Sequence, residues 1–273
     1  MQHYSATPSS FFTTLWQHRQ LIWQMAKREV VGRYRGSILG LLWSFFQPLF
    51  MLAIYTFVFS MVFKAKWGAT HSDSKTEFAL ILFAGLIVFN LFADVVNRSP
   101  DIIVANVNFV KKVVFPLELL PVIASCSALF HAFVSTGVLL TFNGIINHTF
   151  SFTVFILPII FIPLTILILA FAWFLSSLGV YLRDVGQTVT LLTTALLFLS
   201  PIFFPPTALP EQIRPYLHLN PLTFIIEQSR KVLIWGQMPD WQGLCLYTLF
   251  ATALAWLGYL WFQKTRKGFA DVL

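Results

Sequence analysis

Charge is what this sequence has least of. Charged side chains make up 11% of its 273 residues, against 57% apolar ones, whereas a soluble domain carries about 25% charged residues because its surface must face water. A chain of this length with so few charges cannot clothe a soluble surface, and lipid is the solvent that accepts it. Catalytic signatures are missing as well. There is no GxxxxGK[ST] phosphate loop and no Gly-rich nucleotide turn, so the chain has no means of hydrolysing ATP alone. HExxH, GxSxG and paired-carboxylate arrangements are equally absent, which leaves no catalytic candidate. The two cysteines, Cys126 and Cys245, lie inside apolar runs, and no CxxC or Cys/His spacing supports a metal site or a disulfide framework. The first ten residues are polar without a basic n-region, so no cleaved signal peptide is expected. No Pro/Gly/Ser linker, charge block or internal repeat divides the chain, and a single domain over 1–273 is expected.

What is present is long uncharged stretches. The 28 residues between Arg35 and Lys64 carry no charge, and predict a first span over 38–63, longer than the ~20 residues a bilayer requires. Pro48 is a candidate kink in it. The run from Phe78 continues past Asp94 and predicts a second span over 78–98. From Leu119 to Leu182 there are 64 residues without a charge; one helix of that length would reach about 96 Å, so the polar patch at 143–149 is read as a turn between spans over 119–146 and 152–182. A fifth span covers 185–204 and is stopped by Pro201, Pro205 and Pro206. Residues 209–235 are apolar in patches but interrupted by Glu211, Arg214, Glu227, Arg230 and Lys231, which suits two short re-entrant helices better than a full span. A sixth span covers 241–262. Ahead of all of these, 11–30 reads as an amphipathic helix lying on the membrane, with Trp16 and Trp23 opposite Lys27 and Arg28; an ordinary amphipathic helix packed on protein is the alternative. The fold class expected is all-α integral membrane: six transmembrane helices, an N-terminal interfacial helix and two re-entrant helices between spans five and six.

Six spans put both ends on one side. Twelve of the 18 basic residues then fall on the side of the N-terminus and six, Arg230 and Lys231 among them, on the other. That bias places both termini in the cytoplasm. The net charge of +7 is thereby absorbed by topology, and no nucleic-acid partner is expected. Asp94 and Arg98 are spaced i,i+4 and read as a structural pair near the inner surface, with a proton relay as the alternative. His131, mid-span, reads as an interhelical hydrogen-bonding residue, with substrate binding or proton transfer as the alternative; Asn90 and Asn143 are read likewise. Most of the tryptophans fall near span ends, where their rings anchor a helix, although aromatic rings can also stack on sugar faces.

The stretch from Lys27 to Pro48, KREVVGRYRGSILGLLWSFFQP, resembles the opening of the ABC type-2 exporter permeases for surface polysaccharides such as O-antigen, capsule and teichoic acid. Lys111-Lys112-Val-Val-Phe-Pro-Leu-Glu118, Tyr181-Leu-Arg-Asp184, Ser200-Pro-Ile-Phe-Phe-Pro205, Leu219-Asn-Pro-Leu222 and Lys267-Gly-Phe-Ala-Asp-Val-Leu273 follow in the same order. The resemblance implies a homodimer in the bacterial inner membrane, joined to two copies of a separate ABC ATPase that holds ATP and Mg. It also implies a polyprenyl-diphosphate-linked glycan as substrate and no cofactor on this chain. On it, Asn106, Lys111, Lys112, Phe115 and Glu118 would form the segment that docks on the ATPase, with Arg183 and Asp184 as a smaller second contact. Lys27, Arg28, Arg33 and Arg35 would meet the lipid diphosphate, or serve topology and anionic headgroups alone. A type-2 permease for a small molecule, drug or lipid, and a multi-span transferase, remain alternatives, since substrate choice lives in the pore lining.

Overall fold

A computed structural model describes residues 8–58, 75–111, 115–147, 151–217 and 219–273. Among them the chain is helical, with no strand. The helices are α1 (Pro8–Gln17), α2 (Arg19–Gly32), α3 (Trp43–Thr56), α4 (Lys75–Ile102), α5 (Val107–Lys111), α6 (Leu119–Asn147), α7 (Leu157–Tyr181), α8 (Val185–Leu199), α9 (Arg214–Leu217), α10 (Pro221–Leu233), α11 (Trp241–Thr265) and α12 (Phe269–Val272). Among the described residues, four stretches are long and apolar enough to cross a membrane: Glu77–Ile102, Leu119–Ile145, Phe152–Tyr181 and Trp241–Val272. Gly40–Thr56 and Val185–Leu199 are shorter apolar helices. The expected interfacial helix over 11–30 divides at His18 into α1 and α2, and the expected second span runs four residues further, through Pro100 to Ile102. The expected first span opens with a 3-10 turn at Gly40–Leu42; residues 59–63 and most of the loop after them lie outside the described residues. The fifth helix stops at Leu199, before Pro201.

The α4 helix is the hub. Most of its apolar window is buried (89%), against 22% for the window in α11, and it packs on α3, α6, α7, α8 and α10. Its side chains Leu80, Leu82, Val88 and Val95 fill the main apolar core with Ile160, Leu164 and Ile168 of α7 and Ile225 and Ile226 of α10. A second apolar core sits at one end of the bundle. There Trp173, Val180, Tyr259 and Phe262 meet Ile103, Phe115 and Leu119, capped by Ala26 from α2 and Phe269 from α12. Packing between α7 and α11 links the two cores. Gly258 permits this approach, because a Cβ there would collide with the carbonyl oxygen of Ala170; small residues let helix backbones close in where no hydrophobic effect drives association.

Among the described residues, the most deeply buried charged side chain is an arginine. Arg230 on α10 is fully buried, which corrects its assignment to an outer basic segment. Its Nε donates to the carbonyl of Ile81 at 3.0 Å, Nη1 to that of Pro201 at 2.6 Å and Nη2 to that of Ile202 at 3.1 Å. Gly85 makes room for it, since a Cβ at that position would lie 2.8 Å from Nη2. The guanidinium therefore ties the chain that breaks after α8 to the N-terminal part of α4 at Ile81. Arg230→Met should lower stability by roughly 1–3 kcal/mol for each of the two carbonyls that loses its donor, at Pro201 and Ile202, read as thermal unfolding of detergent-solubilised protein; an unchanged melting temperature contradicts the tie. Gly258→Val should cost about 1–3 kcal/mol through overpacking, whereas Gly137→Ala, where the added methyl meets nothing within 4 Å, should melt with the wild type.

Candidate functional site

Two features gather at the end of the bundle that holds α2. The first is a half-open groove of about 470 Å³ between α3, α4 and α6. Gln47 and Tyr55 of α3, Asn90 and Asp94 of α4, and His131 and Ser135 of α6 line it, with Arg33 and Tyr34 at its mouth. Helical spacing explains the α4 wall: Asn90, Asp94 and Arg98 fall on one face at i, i+4 and i+8 while Val88, Val95 and Ser99 turn to the core.

The mouth is a network of four charges. Arg33 Nη2 lies 3.0 and 3.2 Å from the two carboxylate oxygens of Asp94. Arg98 pairs with Asp94 at 3.2 Å, at the expected i,i+4 spacing, and donates to Glu29 of α2 at 2.6 Å. Two arginines and two carboxylates cancel, and all four side chains keep about a quarter to a third of their surface in contact with solvent. The expected i,i+4 pair is thus present but is half of a network that joins α2 to α4. Arg33 reaches Asp94 through one nitrogen, and a guanidinium has five N–H donors, so its remaining edge is available to another anion. Arg35, Lys27 and Arg28 are exposed, and no carboxylate pairs with them among the described residues. The Tyr34 hydroxyl lies 3.4 Å from His131 Nδ1, the direction of the bond following the imidazole tautomer. Burial raises the Tyr34 pKa above its ordinary value, opposed by Arg33 and reinforced by Asp94. His131 thus bonds to Tyr34 in the turn after α2 rather than to a neighbouring helix, while its buried Nε2 has no hydrogen-bond partner among the described residues. Asn90 is exposed in the groove, and Asn143 is buried in α6.

The second feature is a platform built from α5, the corner after α7 and the tail after α11. Lys111 ends α5 exposed, and Arg183 and Asp184 are exposed at the corner. Lys112 lies outside the described residues. Asn106 turns inward to donate from Nδ2 to the carbonyl of Ile102 at 2.8 Å. Phe115 is buried and stacks on Phe109 with ring centroids 4.6 Å apart. Glu118 also points inward, 2.6 Å from Arg266, with side-chain exposures of 8% and 10%. Of the expected docking residues, Lys111, Arg183 and Asp184 face outward, whereas Asn106, Phe115 and Glu118 hold the segment in shape. Sequence reasoning passed over Glu29, Tyr34 and Arg266. Tyr34 is flanked by Arg33 and Arg35, a local signal; the partners of Glu29 and Arg266 are 69 and 148 residues away, and no local pattern announces them. No group of three metal-ligating side chains occurs among the described residues.

The ABC-2 type transporter family matches residues 20–234. The O-antigen export system permease protein RfbA of Myxococcus xanthus is 24% identical over 94% of this chain and 96% of its own. The polysialic acid transport protein KpsM of Escherichia coli is 27% identical over 88% of this chain and 91% of its own. The capsule polysaccharide export inner-membrane protein CtrC of Neisseria meningitidis is 21% identical, covering 95% and 96%. With the match spanning both the groove and the outward residues of the platform, the chain belongs to the ABC-2 type transporter family.

Proposed function

We propose that the chain is the membrane-spanning permease subunit of an ATP-driven exporter that carries a polyprenyl-diphosphate-linked polysaccharide from the cytoplasmic to the outer face of a bacterial inner membrane. The observation that carries this reading is the alignment over 88–95% of the chain with permeases named for O-antigen, polysialic acid and capsule export. The permease is a single domain over 1–273 and a transport subunit rather than an enzyme. It works as a homodimer on two copies of an ABC ATPase, which hold ATP and Mg; the absence of a phosphate loop in the sequence is what requires that partner.

Six spans follow if the two shorter apolar helices join the four long ones, with α9 and α10 as the re-entrant pair. Support for cytoplasmic termini comes from the gathering of α2, α5, the end of α7 and the tail around the second core, since these segments and the corner after α7 carry Arg19, Lys27, Arg28, Lys111, Arg183, Arg266 and Lys267. The groove then opens at the inner leaflet. Arg33 offers its free edge to a diphosphate, and charge-assisted bonds to phosphate oxygens are strong. Arg35, Lys27 and Arg28 supply the surrounding positive field. The platform presents Lys111, Arg183 and Asp184 to the ATPase.

Deletion of the gene should remove surface polysaccharide and leave lipid-linked polymer in the cytoplasm, measured by glycan staining and lipid extraction. Normal surface glycan with altered drug resistance would establish the small-molecule permease instead. For the groove, Arg33→Gln should weaken binding of a short polyprenyl diphosphate by about 1.5–3 kcal/mol, the net worth of hydrogen bonds to a charged group. Titration of the purified protein tests this; equal affinity in mutant and wild type would leave Arg33 a topology and structural residue only.

A further inference from the structure

We propose that Arg266 is a positioning residue for coupling: it braces the end of α11 against the segment that carries Lys111, so that the outward residues of the platform move as one body with α7 and α11. The inference rests on the reading of the platform as the ATPase contact. Arg266 Nη1 donates to Glu118 at 2.6 Å, and Nη2 donates to the carbonyl of Phe115 at 3.1 Å. Phe115 in turn stacks on Phe109 of α5, so the position of α5 is referred directly to the guanidinium. On the far side, the backbone carbonyl of Thr265 accepts from the Tyr181 hydroxyl at 2.8 Å, and the Thr265 hydroxyl lies 2.6 Å from that of Ser177. Phe269 is fully buried against Phe262 and Tyr181 and holds the tail over the same point. Trp173 of α7 donates from Nε1 to the carbonyl of Glu118 at 3.0 Å and closes the circuit.

Three stretches distant in sequence, 115–118, 173–181 and 265–269, thus meet around this side chain. Stability alone is a poor reason for a charged pair there, because well-packed apolar residues replace buried ion pairs at little or no cost. Geometry is a better one. A guanidinium bound to both a carboxylate and a carbonyl fixes register as well as distance, and an ammonium satisfies the first but not the second. What the brace holds in place is an exposed set, Lys111 on one side and Arg183 and Asp184 on the other.

The test uses the whole transporter, this chain co-expressed with its ATPase and reconstituted with lipid-linked glycan, measuring ATPase co-purification and the ATP hydrolysed per chain exported. Arg266→Met should co-purify ATPase as the wild type does while raising ATP consumed per chain by about tenfold, a typical size for coupling between sites. Arg266→Lys should fall between the two, and exchange of the pair, Glu118→Arg with Arg266→Glu, should recover part of the loss. An unchanged ratio in Arg266→Met, or hydrolysis and export falling together in proportion to folded complex, overturns the proposal. Should Arg266→Met fail to accumulate, Arg266→Lys decides: a wild-type ratio overturns the brace and a raised one supports it. A wild-type chain that captures no ATPase sinks the platform reading itself, a result separate from any effect of Arg266.

Discussion

A helix that ends inside an apolar medium leaves carbonyl groups that water cannot reach, and each must find a donor within the protein. This constraint organises the buried breaks in the structure, and side-chain donors serve the exposed ones at Thr207 and Thr265 as well. Where the backbone leaves α8, the carbonyls of Pro201 and Ile202 are met by Arg230. Past the prolines that follow, those of Thr207 and Leu209 are met by Arg214. At the start of α6, Phe115 and Glu118 offer carbonyls that Arg266 and Trp173 take up. The end of α11 is bonded by Tyr181 through Thr265, and the end of α10 by Thr153 through Val232. The donors come from distant parts of the chain, so satisfying each break also fixes one segment against another.

Arginine fills the most demanding of these places for a physical reason. Its fork can reach carbonyls on two elements at once and it stays charged, whereas a hydroxyl meets one carbonyl. Arg230 joins α4, α10 and the exit of α8 with three bonds. Arg266 joins α11 to the head of α6 with two. A chain with so few charges therefore spends several of them inside, where their work is geometrical.

How much of this could be read in advance depends on range. The long helices were legible, because an uncharged run of a given length in lipid has few other solutions; the 64-residue run does divide into two, but α6 continues as helix to Asn147, through most of the polar patch read as the turn, and the next element begins at Phe152. The pair of Asp94 and Arg98 was legible from i,i+4 spacing. Arg230 carried a local signal that went unused: Ile226, Arg230 and Leu233 fall on one stripe at i, i+4 and i+7, and all three are buried. A basic residue on an apolar stripe is a candidate for the interior rather than a loop charge. Arg33 with Asp94 and Arg266 with Glu118 are separated by 61 and 148 residues. A single sequence contains no physical signal for such pairs until the helices have been docked.

The two cores give the network its mechanical sense. The main core, around α4, is continuous and apolar, and its buried residues interlock across α4, α7 and α10; close-packed interiors transmit displacement rather than absorb it. The second core is shared by segments with no long helix of their own, α2, α5 and α12, and polar bonds at its margin set their positions. The α7 and α11 helices run through both, held backbone to backbone at Gly258. A push on α5 passes first to Phe115 and Arg266 and then to α11 and α7. At the groove mouth, a push on α2 passes through Glu29 and Arg33 to α4. The groove and the platform are separate sites, yet each is bolted by arginine to a helix that enters the main core, and that core is the physical path by which an event at one can be felt at the other.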